Sequence, residues 1–260
     1  MDKLLLVTGG SRGIGAATCR RAAASGYSVA VNYRSDADAA NALVAELKST
    51  GADAEAFMAD VSCEEEVIEL FSSVVDRLGV PTAVVNSAGI AGKHMDVVEF
   101  DATVLQELMQ INVVGTMLCC REAARHMSTA RGGDGGSIVN VSSMAATIGG
   151  RPGHCAYAAS KAAVDAFTVG FAKEVGAQGI RVNTVRPGVT LTDMTSEVKA
   201  NATVRSAVEA TIAMNRVACA DEIAAPVMWL LSSEASFVSG AHLDASGGGF
   251  VIGASTASVD

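Results

Sequence analysis

Tyr157 and Lys161 have side chains that could exchange a proton, and they stand four residues apart. They lie in the segment CAYAASKAAVDAFTVGFAKEV, whose small and apolar residues recur at helical spacing, so we expect both side chains on one helix face. A phenol titrates near ~10 in water, and an ammonium group beside it favours the phenolate and lowers the phenol's pKa. Such a pair can give a proton to a carbonyl oxygen or remove one from an alcohol. That proton transfer is half of a hydride-transfer reaction, which predicts a nicotinamide site elsewhere in the chain.

A glycine-rich segment after the first predicted strand is the candidate for that site. Residues 9–15 have the sequence GGSRGIG and lead into an Ala-rich stretch. Glycines let the backbone approach a pyrophosphate at a helix N-terminus, where free N–H groups and the helix dipole favour negative charge. The spacing differs from the GxGxxG of many dinucleotide folds, so a plain tight turn is the alternative. The predicted cofactor-binding residues here are Gly9, Ser11, Arg12, Gly13, Ile14 and Gly15.

The end of the second predicted strand indicates which nicotinamide cofactor is bound. Dinucleotide folds that bind NAD place a carboxylate there for the ribose 2′-OH, but residues 32–35 of this chain are NYRS. Arg34 and Arg12 could instead bind a 2′-phosphate through charge-assisted hydrogen bonds. The sequence therefore predicts NADP(H) in preference to NAD(H), with Tyr33 and Arg34 in the site. The alternative is that both arginines are solvated surface charges, and Asp36 lies close by in the sequence.

Short β-branched segments alternate with longer Ala-rich amphipathic segments along nearly the whole chain. This alternation is typical of an α/β fold in which helices cover both faces of a parallel sheet. Strands are predicted at residues 4–8, 28–33, 54–59, 83–86, 137–141, 181–186 and 242–244, and helices at residues 15–25, 36–50, 64–78, 103–130, 157–175 and 221–231. We expect one doubly wound Rossmann-type domain over residues 1–253, with a mostly parallel seven-stranded sheet, and a tail at residues 254–260. The chemistry is expected after the strands, because open α/β sheets bind ligands at that edge.

The composition limits the classes of function. The 260 residues are 50% hydrophobic and carry a formal net charge of -9, which argues against nucleic acid as a partner because no basic stripe is present. No run approaches the about 18 apolar residues of a membrane span, and no secretory signal is recognised. We therefore expect a cytoplasmic protein with no membrane partner. The six cysteines form no CxxC pair and no histidine lies at ligand spacing, so no metal site is expected.

Four motifs occur in a characteristic order: TGGSRGIG at residues 8–15, NSAG at residues 86–89, an asparagine at position 112 and YAASK at residues 157–161. With them the sequence resembles the short-chain dehydrogenase/reductase family over nearly its entire length. Within that family it is similar to the single-domain members that include 3-oxoacyl carrier-protein reductases and glucose-1-dehydrogenase-like oxidoreductases. The resemblance implies a small-molecule carbonyl or alcohol substrate and a homotetramer.

The resemblance also implies a catalytic tetrad of Asn112, Ser143, Tyr157 and Lys161. Tyr157 would be the general acid or base, and Lys161 would lower its pKa and bind the nicotinamide ribose. Ser143 would hold the substrate oxygen, with Ser142 as the alternative because neighbouring strand residues face opposite ways. The amide of Asn112 would have a role such as holding a water that links Lys161 to solvent.

Further contacts are implied at positions that match the family's motifs. For the cofactor they are Asp60 and Val61 at the adenine, Asn86, Ala88 and Gly89 at the ribose and phosphate, and Pro187, Gly188, Val189, Thr190 and Thr192 at the carboxamide end. The substrate is expected beneath a lid at about residues 193–214. Candidate wall residues of its pocket are Met95, Met144, Met194 and His154, with ordinary core packing as the alternative for the methionines.

Other functions of this fold match the sequence less well. A non-catalytic NADP-binding redox sensor is the main alternative, although a sensor would not need a proton donor such as Tyr157. Epimerases and dehydratases usually carry a longer C-terminal substrate domain and a TGxxGxxG loop, which this chain lacks. Enoyl reductases of the superfamily space their Tyr and Lys more widely than the three-residue gap found here. The sequence therefore predicts an NAD(P)-dependent oxidoreductase that acts on CH–OH or C=O groups.

Overall fold

A parallel β-sheet forms the centre of the computed structural model, which describes residues 3–249. The strands in that range are β1 (Lys3–Thr8), β2 (Tyr27–Tyr33), β3 (Ala54–Met58), β4 (Ala83–Asn86), β5 (Gly136–Val141), β6 (Ile180–Pro187), β7 (Thr190–Leu191), β8 (Ala218–Cys219) and β9 (His242–Ala245). Seven of them form the central sheet in the order β3-β2-β1-β4-β5-β6-β9, and every neighbouring pair is parallel. The short strands β7 and β8 pair with each other outside it.

Helices connect the strands and cover the sheet. They are α1 (Gly13–Ala24), α2 (Ala37–Ser49), α3 (Glu64–Leu78), α4 (Ala102–Met109), α5 (Gly115–Met127), α6 (Ala145–Ile148), α7 (Cys155–Val175), α8 (Ser196–Ala200), α9 (Ala202–Glu209) and α10 (Ala220–Leu231). Within residues 3–249 no helix has both the length and the apolar character needed to cross a membrane.

Two hydrophobic cores lie on opposite faces of the sheet. Leu4 and Leu6 of β1 belong to the core under α3, α5 and α7, which includes the fully buried Phe71. Leu5 and Val7 belong to the core under α1, α2 and α10. Successive side chains of a strand point to opposite faces, so a strand covered on both sides is hydrophobic at nearly every position. These two layers hold α1 and α7 on opposite faces of the sheet.

The predicted α/β fold with a seven-stranded sheet is confirmed. Each predicted strand has its counterpart in the central sheet, and the bounds differ by one residue at most. The helix predicted at residues 36–50 spans Ala37–Ser49, because Asp36 acts as its N-cap and accepts a hydrogen bond from Ala39 N at 3.0 Å.

The helix predicted at residues 103–130 is wrong as a single α-helix. It consists of α4, a π-helical turn at Gln110–Val114 that contains Asn112, and α5. It ends at Met127 because Ser128 adopts an extended conformation (φ −60°, ψ 129°), and its hydroxyl accepts a hydrogen bond from Ala130 N at 3.2 Å. The extra residue of a π turn rotates the helix locally, and such turns occur often at functional sites.

The predicted lid, residues 193–214, contains α8 and α9. Its apolar side chains pack into a small core of their own, formed by Val198, Val208, Ile212 and Val217. The predicted tail at residues 254–260 and the domain boundary at residue 253 lie outside the described residues. The homotetramer and the cytoplasmic location stay predictions.

Two helical glycines differ in what surrounds them. Gly15 lies in the first turn of α1, where an added Cβ would overlap the carbonyl oxygen of Gly9 and lie 3.0 Å from Gly10 Cα. At Gly170 in α7, nothing in the described part of the chain lies within 4 Å of the corresponding position. The first glycine is therefore required by packing, whereas the second is not.

We expect Gly15→Ala to lower the free energy of unfolding by about 1 to 3 kcal/mol, because the overlap is with rigid backbone. Gly170→Ala should raise it by up to about 1 kcal/mol, because alanine loses less conformational entropy in a helix. Urea denaturation of both variants and the wild type measures the two changes. Equal effects of the two substitutions would contradict the close packing of α1 on the loop after β1.

Candidate active site

A cavity of about 550 Å³ opens along the carboxyl ends of the parallel strands. Its walls are the segments that follow β1 to β6, together with the N-terminal part of α7 and the start of the lid. Open α/β sheets bind their ligands at this edge. The predicted site residues that line the cavity are Gly9, Ser11, Arg12, Gly13, Ile14, Arg34, Asp60, Val61, Ala88, Gly89, Ser143, Tyr157, Lys161, Pro187, Gly188, Val189, Thr190 and Thr192.

The loop after β1 has the shape of an anion-binding turn. Gly9 and Gly13 adopt positive φ angles of 60° and 54°, and an added Cβ on Gly9 would lie 2.8 Å from Ala88 Cα. The Gly9 N–H donates to Asn32 Oδ1 at 3.2 Å, which fixes the loop against the end of β2. α1 begins without a side-chain cap and has no acidic residue in its first turn, so its first N–H groups remain available to an anion. These features fit the pyrophosphate of a dinucleotide.

Lys161 is enclosed beside the cavity. Lys161 is 6% exposed, and its Nζ donates a hydrogen bond to the carbonyl oxygen of Val141 at 2.9 Å. Burial disfavours the ammonium and lowers the pKa of Lys161 from 10.5 to about 8, while the Asp165 carboxylate acts in the opposite direction. Lys161 can therefore change its charge close to neutral pH.

Tyr157 shares a helix face with Lys161, as predicted: Lys161 Nζ lies 5.9 Å from the centroid of the Tyr157 ring. Burial raises the pKa of Tyr157, and a hydrogen bond with Ser143 offsets part of that rise. This direction is opposite to the lowered pKa predicted from the sequence, because burial penalises the phenolate more than its surroundings stabilise it. At neutral pH Tyr157 holds its proton, as a general acid requires.

The two serines after β5 have different partners. The Ser142 hydroxyl is buried and donates to the carbonyl oxygen of Lys161 at 3.1 Å, so it attaches β5 to α7. The Ser143 hydroxyl accepts a hydrogen bond from Ala145 N at 3.1 Å and lies within hydrogen-bonding reach of Tyr157. Of the two alternatives that the sequence leaves open, Ser143 is the one placed beside the phenol.

Asn112 is fully buried in the π turn and does not line the cavity. Its Nδ2 donates to Ile90 O at 2.9 Å and to Ser160 Oγ at 3.1 Å, and its Oδ1 accepts from Ile90 N at 2.9 Å. Both amide N–H groups are therefore used by the protein, and the side chain holds the loop after β4. The water expected at Asn112 stays a prediction. The loop comes close because Gly89 has no side chain: an added Cβ would lie 3.2 Å from Asn112 Oδ1 and 3.4 Å from Lys161 Nζ.

Three further residues predicted to bind the cofactor lie outside the cavity wall. Gly15 packs against the loop after β1, as described above. Asn86 is buried inside the sheet, where its Nδ2 donates to Asn140 Oδ1 at 2.8 Å across β4 and β5. Tyr33 uses its carbonyl oxygen to accept a hydrogen bond from Ala59 N at 2.9 Å. None of these three residues lines the cavity.

Asn32 is a site residue that the sequence prediction did not assign. Besides accepting from Gly9, it donates through Nδ2 to Phe57 O at 3.2 Å and to Ala59 O at 3.1 Å, so it joins the loops that follow β1 and β3. Its place at a strand end, one residue before Tyr33, was the available signal. Other unassigned residues of the cofactor side are Ser35, Asp36, Ala59, Ser87 and Ile90.

The wall formed by the segment after β5 and by the start of the lid combines apolar and basic side chains. Met144, Met194 and His154 line the cavity, as predicted, whereas Met95 lines a small separate cleft next to it. Burial and the neighbouring His94 lower the pKa of His154. The sequence prediction did not assign the other lining residues of this wall, which include Ala145, Ile148, Gly150, Arg151 and Val198.

Arg12 and Arg34, which line the cavity near the ends of β1 and β2, are held loosely. Arg12 Nη1 lies 3.9 Å from Asp36 Oδ2 and 3.7 Å from Asp193 Oδ2, and Arg34 Nη1 lies 3.8 Å from Asp60 Oδ2. Both arginine side chains are more than half exposed, and wide ion pairs in solvent contribute little free energy. A phosphate could therefore replace these carboxylates as the partner of either guanidinium.

The lowered pKa of Lys161 predicts how stability depends on pH. Between about pH 8 and pH 10.5 the unfolded chain keeps the Lys161 proton, whereas the folded chain has released it. The free energy of unfolding therefore increases as the pH rises through this window. We expect the free energy of unfolding of the wild type, minus that of Lys161→Met, to rise by at most about 1.4 kcal/mol per pH unit in this window. Urea denaturation from pH 7.5 to 10 measures it. Lys173→Met, at an exposed site on α7, is the control for the loss of a lysine. If the difference in free energy of unfolding between the wild type and Lys161→Met stayed flat or fell with pH, the burial of the Lys161 ammonium would be contradicted.

Comparisons with known proteins agree with this geometry. A family model described as enoyl-(acyl carrier protein) reductase matches residues 9–249. The chain is 42% identical over 245 residues to YgfF, an uncharacterised oxidoreductase of Escherichia coli K12, covering 94% of this chain and 99% of the relative. It is 33% identical over 247 residues to a 3-oxoacyl-[acyl-carrier-protein] reductase of Synechocystis, covering 95% of this chain and 96% of the relative.

A solved structure extends the likeness to three dimensions. The crystal structure of a blue fluorescent protein from a metagenomic library, in complex with NADPH, is similar with a TM-score of 0.87 and 35% identity, covering 95% of this chain and 97% of that one. The order of motifs, the parallel sheet and these relatives lead to one conclusion. The chain belongs to the short-chain dehydrogenase/reductase family of oxidoreductases.

Proposed function

We propose that this enzyme uses NADP(H) to interconvert a carbonyl compound and a secondary alcohol. The observation that supports this most is one continuous cavity that runs from the glycine loop after β1 to Tyr157, Ser143 and Lys161. A dinucleotide whose pyrophosphate is bound at the glycine loop would have its nicotinamide end directed toward the phenol. When bound, the reduced nicotinamide supplies a hydride to the carbonyl carbon.

The protein's own side chains would then manage the oxygen atom. The Ser143 hydroxyl donates a hydrogen bond to the carbonyl oxygen and holds it next to Tyr157. As the carbon gains the hydride, the Tyr157 hydroxyl gives its proton to that oxygen, so the C=O bond becomes CH–OH and a phenolate remains. The Lys161 ammonium, one turn away, stabilises that phenolate until a proton from solvent replaces the one given up. Alcohol oxidation uses the same groups in reverse.

Several features support a cofactor with a 2′-phosphate. The end of β2 lacks the carboxylate that would bind a free 2′-OH, and Arg12 and Arg34 line the cavity there. Their present partners are three carboxylates at 3.7 to 3.9 Å, which a phosphate could replace with shorter, charge-assisted bonds. The similar blue fluorescent protein was crystallised with NADPH, which favours the same assignment.

The reaction at a carbonyl group is favoured over two alternatives. Reduction of a C=C bond is suggested only by the description of the family model, and the three-residue gap between Tyr157 and Lys161 is not the spacing of the superfamily's enoyl reductases. A sensor that binds NADP without turnover would not need a serine hydroxyl, a phenol and a buried ammonium together at one cavity. The named activity of the Synechocystis relative, a 3-oxoacyl reductase, is also a carbonyl reduction.

Tyr157→Phe tests the proton donor. NADPH oxidation is measured against ketones, 3-oxoacyl thioesters, sugar lactones, quinones and an enoyl thioester. We expect turnover with a carbonyl compound and a loss of about 10²- to 10⁴-fold in kcat for Tyr157→Phe, because only the hydroxyl is removed. Tyr27→Phe, at the opposite end of β2 from the cavity, should retain wild-type turnover. Unchanged turnover in Tyr157→Phe would refute the assignment, and NADPH binding without turnover of any compound would favour the sensor.

Arg34→Ala tests the choice of cofactor. Loss of a charged hydrogen bond of about 1.5 to 3 kcal/mol should raise the KM for NADPH by about 10- to 100-fold and leave the KM for NADH unchanged. Arg20→Ala is the matched control, since Arg20 pairs with Glu46 at 2.7 Å and does not line the cavity. Equal efficiency of the wild type with NADH and NADPH would overturn the proposed preference, as would an unchanged KM for NADPH in Arg34→Ala.

A further inference from the structure

A third polar residue continues the face of α7 that carries Tyr157 and Lys161. Asp165 follows Lys161 by four residues, as Lys161 follows Tyr157, so the three side chains lie one above the next. Asp165 is 6% exposed, and it does not line the cavity. A buried carboxylate at this position is costly unless opposite charge or hydrogen bonds compensate for it.

The partners of Asp165 satisfy only one of its two oxygens. Oδ2 accepts a hydrogen bond from Arg186 Nε on β6 at 2.8 Å, and Arg186 also approaches Asp244 Oδ1 on β9 at 3.5 Å. Oδ1 lies 3.9 Å from His242 Nδ1, and neither of these two buried atoms has a hydrogen-bond partner within residues 3–249. One carboxylate oxygen of Asp165 is therefore left without a hydrogen bond among the described residues.

Lys161 is the buried cation on α7 that a nearby negative charge would stabilise. Around Nζ stand the Val141 carbonyl of β5, the Asn112 amide of the π turn, the backbone at Gly89 and the Tyr157 ring, all of them uncharged. Asp165 lies one helical turn from Lys161 on the same face of α7, and although the two form no direct ion pair in residues 3–249, its carboxylate favours the ammonium form through space. Without it, the enclosed ammonium would depend on neutral dipoles alone.

We propose that Asp165 is a positioning residue that keeps Lys161 charged during turnover, as part of the active site but outside the cavity. This rests on the proposed function, since it acts on the reaction only through Lys161 and Tyr157. Arg186 and His242 set how much of the carboxylate's charge reaches Lys161. Burial lowers the pKa of His242, with Arg186 adding to that effect and Asp165 and Asp244 opposing it, so the imidazole stays neutral at physiological pH and competes little for Asp165.

Three variants separate this role from simple structural support. Asp165→Asn keeps the size of the side chain and an acceptor for Arg186 but removes the charge. Asp165→Glu keeps the charge. Asp244→Asn removes a carboxylate from the same arginine at a site where the side chain is 47% exposed. For each, the pH dependence of kcat/KM for NADPH-dependent ketone reduction is measured, and the Lys161 Nζ is titrated directly by NMR of lysine-labelled protein, assigned with Lys161→Arg.

In Asp165→Asn we expect the Lys161 titration and the alkaline limb of kcat/KM to move down together, by about one pH unit. Asp165→Glu and Asp244→Asn should stay within a few tenths of a unit of the wild type. An Asp165→Asn variant that titrates like the wild type would overturn the proposal, as would equal shifts in Asp165→Asn and Asp244→Asn. The NMR titration needs no substrate, so it decides the charge coupling even if the wild type reduces no ketone, which would be a failure of the proposed function alone.

Discussion

The ammonium of Lys161 is enclosed beside the cavity with one hydrogen bond, to the carbonyl oxygen of Val141, among the described residues. The enclosure of this ammonium depends on two segments of backbone that come close to it. α7 must lie against the end of β5, and the buried hydroxyl of Ser142 attaches the two by donating to Lys161 O. The loop after β4 must also approach, which it does at Gly89, where a side chain would meet Lys161 Nζ. The π turn then supplies Asn112 to hold that loop in place through Ile90.

These contacts explain which parts of the chain could be predicted from sequence. Strand positions followed from local patterns, since a strand buried on both faces is apolar at nearly every position, as in residues 4–7 of β1. The shared face of Tyr157 and Lys161 followed from helical spacing. Both signals are local in the sequence, so no knowledge of distant residues was needed.

The parts that were not predicted depend on contacts between distant residues. The interruption of the 103–130 helix centres on Asn112, whose partner Ile90 is 22 residues away. The direction of the Tyr157 pKa depends on burial, which the spacing of two residues does not reveal. Asn86 is the last residue of β4, close to where cofactor residues often lie, but its amide donates to Asn140 inside the sheet. Motif positions thus located the site, whereas side-chain directions required the tertiary structure.

Hydrogen–deuterium exchange with and without saturating NADPH tests whether the cavity between the glycine loop and Tyr157 holds the cofactor. Bound cofactor should slow amide exchange in peptides that cover residues 9–15, 87–91 and 187–192 together, because these loops form its walls. The exposed face of α3 should exchange at the same rate in both states. Unchanged exchange in all three segments, or protection elsewhere on the surface, would contradict the account.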